Sequence, residues 1–195
     1  MKSQSRKGIP TKIIALTAIL TALVVVLQFL GQFIRFGPFA ISLVLIPIVI
    51  GAATCGPKVS TWLGLVFGVI VLVSDAQAFI AINLVGTIVT VLLKGVLAGL
   101  LSGIAYKLVA KKNIYLAVVI AAIVCPVVNT GVFLLGCWVF FMETINEWAL
   151  SFGFASAGEY MILGMVGANF LFELATNIIL SPVVVRLLNI RKKTN

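Results

Sequence analysis

Residues 13–34 read IIALTAILTALVVVLQFLGQFI, an apolar run with no charge between Lys12 and Arg35. At ~1.5 Å per residue, its roughly 22 residues match the ~30 Å hydrocarbon core of a bilayer, so the run predicts a membrane-spanning helix. Lys2, Arg6, Lys7 and Lys12 ahead of it imitate the start of a secretory leader. The run is too long for one, and no small-x-small cleavage site closes it, so it is read as a helix of the mature chain. Ala18 and Ala22 share one face of this helix, and Ala15 lies near that face a turn earlier. Small residues at this spacing let another backbone come close, which is how helices associate where lipid tails are as apolar as protein. The face serves either packing within this chain's own bundle or docking of a separate helix.

The rest of the chain extends the same reading. Of 195 residues, 62% are hydrophobic and only 10% charged, which lies outside the range of soluble domains and predicts one integral membrane domain over 1–195. A net charge of +9 suggests nucleic acid in a soluble protein, but here the basic residues fall in short clusters between apolar runs. That pattern sets topology and excludes a nucleic-acid partner.

The apolar runs predict an all-α bundle of six transmembrane helices at about 12–34, 41–55, 59–74, 82–106, 115–141 and 161–188. The second is the weakest, with about fifteen residues, or ~22 Å of helix, and Pro47 inside it. Pro126 predicts a kink in the fifth, and Glu143, Glu147 and Trp148 a short interfacial helix in the loop after it. With six spans, Lys58, Lys107, Lys111, Lys112, Arg186 and Arg191 fall on the side of the basic N-terminus. Asp75, Glu143, Glu147 and Glu159 fall opposite, with Arg35 alone among the cations. The positive-inside rule then puts both termini in the cytoplasm.

Chemistry has few candidates. There is no histidine, and the five acids form no ligand cluster, so no metal or cofactor site and no enzyme is expected. Residues 51–58, GAATCGPK, imitate a phosphate-binding loop but fail at Pro57, where glycine must precede lysine. Cys55, Cys125 and Cys137 read as small apolar residues, and the last two, ~18 Å apart along one helix, cannot bridge. Lys94 and Glu173 fall near the centres of the fourth and sixth spans. Ionisable groups at that depth cost several kcal/mol unless paired or hydrated, so they face each other, a polar cavity or a partner. Asn129 and Asn169 lie at similar depth, and Asn83, Thr87 and Thr90 extend the polar set toward the outer face. The set is either a structural tie between helices or a ligand site. Gly95, Gly99 and Gly103, with Gly64 and Gly68, predict close helix packing inside the bundle.

With six apolar spans, Ala18 and Ala22 in the first helix, and no nucleotide site, the chain resembles the S-components of energy-coupling factor transporters. The segments FGPFAISLVLIPIVIGAATCGPK (36–58), NLVGTIVTVLLKGVLAGLLSGIAYK (83–107) and CPVVNTGVF (125–133) are similar to the branch that includes riboflavin and pantothenate binders. The resemblance implies a subunit of the cell membrane that captures a vitamin or related micronutrient from outside, in a pocket under the external loops. It implies a transmembrane scaffold subunit and two ATPase subunits as partners, with Ala15, Ala18 and Ala22 as the docking face. The candidate substrate-binding residues, chosen by depth and polarity, are Arg35, Asn83, Thr87, Thr90, Lys94, Asn129, Asn169 and Glu173. The competing reading is a self-sufficient channel or secondary carrier built on Lys94 and Glu173.

Overall fold

The computed structural model describes residues 11–33, 35–36, 39–40 and 43–193. Lys2, Arg6 and Lys7 of the expected basic tail therefore lie outside the described residues. The chain runs α1 (Thr11–Gly31), a two-residue strand pair β1 (Arg35–Phe36) and β2 (Phe39–Ala40), α2 (Leu45–Cys55) and α3 (Pro57–Ser74). It continues with α4 (Gln77–Ile82), α5 (Leu84–Val109), α6 (Ile114–Phe140), α7 (Met142–Ser151) and α8 (Ala157–Glu159). A π-helical segment, Tyr160–Gly167, then leads without a break into α9 (Ala168–Lys193).

Among the described residues, five helical stretches are long and apolar enough to cross a membrane: Thr11–Gly31, Pro57–Ser74, Leu84–Val109, Ile114–Phe140 and Ala157–Asn189. The second expected span is shorter than the 41–55 read from the sequence, because α2 begins only at Leu45 and has 11 residues, ~16 Å of helix. What it lacks in length it makes up in burial: Leu45, Ile48 and Ala52 are wholly enclosed. Gly56 separates α2 from α3 with φ of 89°, a left-handed conformation that a side chain disfavours, and Pro57 then opens α3 with its φ already helical.

Local signals explain the other boundaries. Asn83 accepts from Gly86 N at 2.8 Å to cap α5, and Asn113 accepts from Leu116 N at 3.1 Å to cap α6. Pro126 sits inside α6, as expected of a membrane helix whose neighbours satisfy the freed carbonyl. The expected short helix after the fifth span is α7, which carries Glu143, Glu147 and Trp148.

Two kinds of contact set the packing. Trp62 donates to Thr21 at 3.2 Å and Gln28 donates to Asp75 at 2.5 Å, so α1 and α3 run in parallel. Glycine contacts fix α3 against α5 in the opposite sense: Gly64 meets Gly95, Gly68 meets Val91, and Gly99 meets Ser60. A Cβ on Gly64, Gly95 or Gly99 would run into the backbone of the opposing helix, so only glycine permits this approach. Ser60 Oγ donates across the same seam to Gly99 O at 2.7 Å. Helix α6 is antiparallel to α5, with Gly136 receiving Thr90 and Gly86 meeting Phe140. Val118 of α6 meets Val184 and Leu188 of α9 near Tyr106 and Ile114. At the other end, α4, α7 and α8 form a cap in which Phe79 makes edge-to-face contacts with Phe133, Phe141 and Trp148 at 5.8, 5.0 and 5.6 Å.

Candidate functional site

A cavity of about 100 Å³ lies beneath this cap, where α1, α3, α5, α6 and α9 come together. Its polar lining is Gln28, Asp75, Lys94, Asn129, Thr130, Asn169 and Glu173. Each arrives from a different position for a local reason. Gln28 is the last polar residue of α1 before its terminal glycine, and its amide is held by Asp75 and, at 3.5 Å, by Ser74 Oγ at the end of α3. Lys94 adjoins Gly95, so the glycine seam fixes where its stem leaves α5. Asn129 follows Pro126 by one turn of α6. Asn169 and Glu173 are one turn apart on α9, just past the π-helical segment that supplies Met165 and Val166 to the wall.

The site brings both signs of charge together. The Lys94 ammonium lies within electrostatic reach of both Glu173 and Asp75. It also stands 5.4 Å from the Phe67 ring centroid and 5.2 Å from that of Phe133, close enough for the ring faces to attract it. Gln28, Asn129 and Glu173 are each only 5% exposed. Among them, Gln28 Oε1 and Asn129 Oδ1 have no hydrogen-bond partner. No group of three or more His, Cys, Asp or Glu among the described residues is placed to hold a metal ion.

Half of the residues expected from the sequence meet here, namely Lys94, Asn129, Asn169 and Glu173. Asn83, Thr87 and Thr90 do not line this cavity. Asn83 is spent capping α5, the Thr87 hydroxyl donates to Asn83 O at 2.7 Å, and Thr90 fills the space left by Gly136. Arg35 stands in β1, and its side chain lies outside what is described. Asn177 turns back to its own helix, donating to Glu173 O at 2.8 Å.

Three contributors were not foreseen. Gln28 and Asp75 come from helices whose sequences gave no reason to pair them across 47 positions, and Phe79 belongs to a helix of six residues that the sequence reading left as a break. A usable signal existed for Gln28, which interrupts an otherwise apolar stretch from Leu23 to Leu30.

The docking stripe expected on α1 sits elsewhere. Ala15, Ala18 and Ala22 are all exposed, while the same helix turns Leu20, Val24 and Gln28 inward.

A family model described as the substrate-specific component of ECF transporters matches residues 12–185, nearly the whole chain. The protein belongs to that family. No curated protein and no solved structure matches it. As an ECF substrate-specific component it is a multi-pass protein of the cell membrane and a substrate-binding transporter subunit, which is not an enzyme class. The match names neither a substrate nor a branch of the family.

Proposed function

We propose that this chain captures a small water-soluble nutrient, a vitamin or related micronutrient, in the cavity beneath the cap, for ATP-driven import by partner subunits. The observation that carries the reading is the cavity itself: buried amides and charges converge there from five helices in a family whose members bind a substrate. Lys94, Asn129, Asn169 and Glu173, joined by Gln28 and Asp75, are the substrate-binding residues of this proposal. Family membership does not favour a self-sufficient carrier.

The same proposal treats the chain as one membrane domain that passes six times through the bilayer, with both ends in the cytoplasm. Supporting it, α1 and α3 run in parallel, so the chain between Gly31 and Gly56 has to travel back along the bundle despite the shortness of α2. The turn at Gly56 and Pro57 shares a groove with Lys107 and Lys111, which agrees with a common basic, cytoplasmic end. Ala15, Ala18 and Ala22 are the proposed contact for a scaffold subunit that carries two ATPases, and their outward exposure supports this over packing within the bundle.

The test is uptake in cells, with mass spectrometry of small molecules that co-purify with the detergent-solubilised protein. The proposal expects a retained solute whose uptake needs both this chain and an ATPase. Uptake by this chain alone, with no ATPase present, would sink it.

A further inference from the structure

At the end of the bundle away from the cap, the turn between α2 and α3 meets the last turns of α5 around an open groove of about 440 Å³. Ala52, Ala53, Gly56 and Ala110 line it with little side-chain bulk, so a trough stays open beside Tyr106, Lys107 and Lys111. Both lysines are exposed.

All five acidic side chains of the chain lie elsewhere. Asp75 closes the far end of α3, ~27 Å along that helix from Pro57. Glu143, Glu147 and Glu159 belong to the cap. Glu173 lines the cavity beneath the cap, ~16 Å along α9 before Val184, the level at which that helix packs near Tyr106. The groove end gathers further cations instead: Lys58 beside Pro57, Lys112 beside Lys111, and Arg186 between Val184 and Leu188. The groove is thus a positively charged recess, and an anion that fills it has to come from another molecule.

Its position says which anion. The groove lies where α3 begins and α5 ends, so in a spanning bundle it stands at the depth of phospholipid headgroups. Basic recesses between helices at that depth hold anionic headgroups. An apolar track leads from the lysines toward the bilayer centre. Ile104 precedes Lys107 by one helical turn and Lys111 by two, Leu101 lies a turn deeper, and both are exposed. A diffusible phosphate would use the lysines and leave this track bare, whereas a lipid engages both. We infer that the groove seats the phosphate of an anionic phospholipid of the surrounding bilayer, held by Lys107 and Lys111 with an acyl chain laid along Ile104 and Leu101.

Two lipids of one chain composition test this, dioleoylphosphatidylglycerol and dioleoylphosphatidylcholine, the first anionic and the second without net charge. The purified full chain in detergent is given an equal mixture, and the lipids it retains are counted by native mass spectrometry, with the thermal midpoint followed for each lipid alone. The expected result is retention of phosphatidylglycerol at least ten-fold over phosphatidylcholine, with a midpoint raised by the first lipid alone. Lys107→Gln with Lys111→Gln should lower that ratio at least five-fold. Lys112→Gln with Arg186→Gln removes as much charge from the same end but none from the groove, and should leave the ratio within two-fold of the parent. Ala110→Trp keeps every charge and fills the trough, so it should lower the ratio as the groove lysines do, and it decides alone should the first double variant fold poorly. Equal retention of the two lipids by the parent protein overturns the inference. An equal fall in both double variants, or a full ratio in Ala110→Trp, overturns the groove as the seat in favour of diffuse attraction. A midpoint raised as far by millimolar glycerol 3-phosphate as by phosphatidylglycerol overturns the lipid in favour of a soluble anion. Unchanged lipid retention in Lys107→Gln with Lys111→Gln, together with lost co-purification of a scaffold subunit, overturns it in favour of a protein partner.

Discussion

Gly64 and Gly68 of α3 are closed against the stretch of α5 from Val91 to Gly99, whereas Ala15, Ala18 and Ala22 of α1 look outward. Both stripes carry small residues at helical spacing, and in the sequence they read alike. The difference lies in the counter-surface. The glycine stripe has a complement of its own kind in the next long helix of the chain, and two bare backbones settle against each other. Among the described residues the alanine stripe has no such complement, and α1 turns Leu20, Val24 and Gln28 toward its bundle instead. In lipid, where apolar area alone does not choose a partner, spacing grants close approach and complementarity decides who approaches.

The largest effect expected from this contrast is at the seam. Gly95→Leu puts a branched side chain where even a Cβ meets the Gly64 backbone, and about 3 kcal/mol or more of stability should be lost as the helices separate. The measure is the yield and thermal midpoint of monodisperse protein in detergent, and a normal midpoint would break the comparison at its buried side. Next comes the outward stripe. Ala22→Trp should leave that midpoint and solute binding unchanged and abolish co-purification with a scaffold subunit. Parallel loss of stability, binding and assembly would refute the outward role. The smallest effect is Ser60→Ala, which removes the bond to Gly99 O and should cost about 1 kcal/mol while the seam stays shut. A loss as large as that of Gly95→Leu would shift the credit from backbone contact to this hydrogen bond.

Much of the fold was legible because each long apolar run needs its own helix and each break carries a cap or a turn. Asn83, Asn113 and the Gly56-Pro57 pair all stand where elements begin. The shortness of α2 was legible as a doubtful span; the burial of one whole side of it, from Leu45 through Ile48 to Ala52, was not, since burial depends on neighbours distant in sequence. That Lys94, Asn129, Asn169 and Glu173 line one cavity follows from their depth, a quantity the sequence supplies by counting from helix ends. Thr87 and Thr90 lie away from this cavity, since depth says nothing about which side of α5 a residue occupies, nor whether a hydroxyl is already bonded to its own helix. Asp75 was assigned to an outer loop because α3 ends there, and only the parallel course of α1 and α3 brings it to Gln28.

Lys94 follows from the seam in one more respect. Its neighbour Gly95 is held by backbone against backbone, so the register of α3 on α5 owes little to any side chain around the cavity. Exchanging residues such as Thr130, Asn169 or Phe170 for others of different shape or polarity leaves that register untouched. The lining is thus free to vary while the frame stays the same, and a chain built this way can come to recognise a different solute by a few substitutions without having to find a new way to fold.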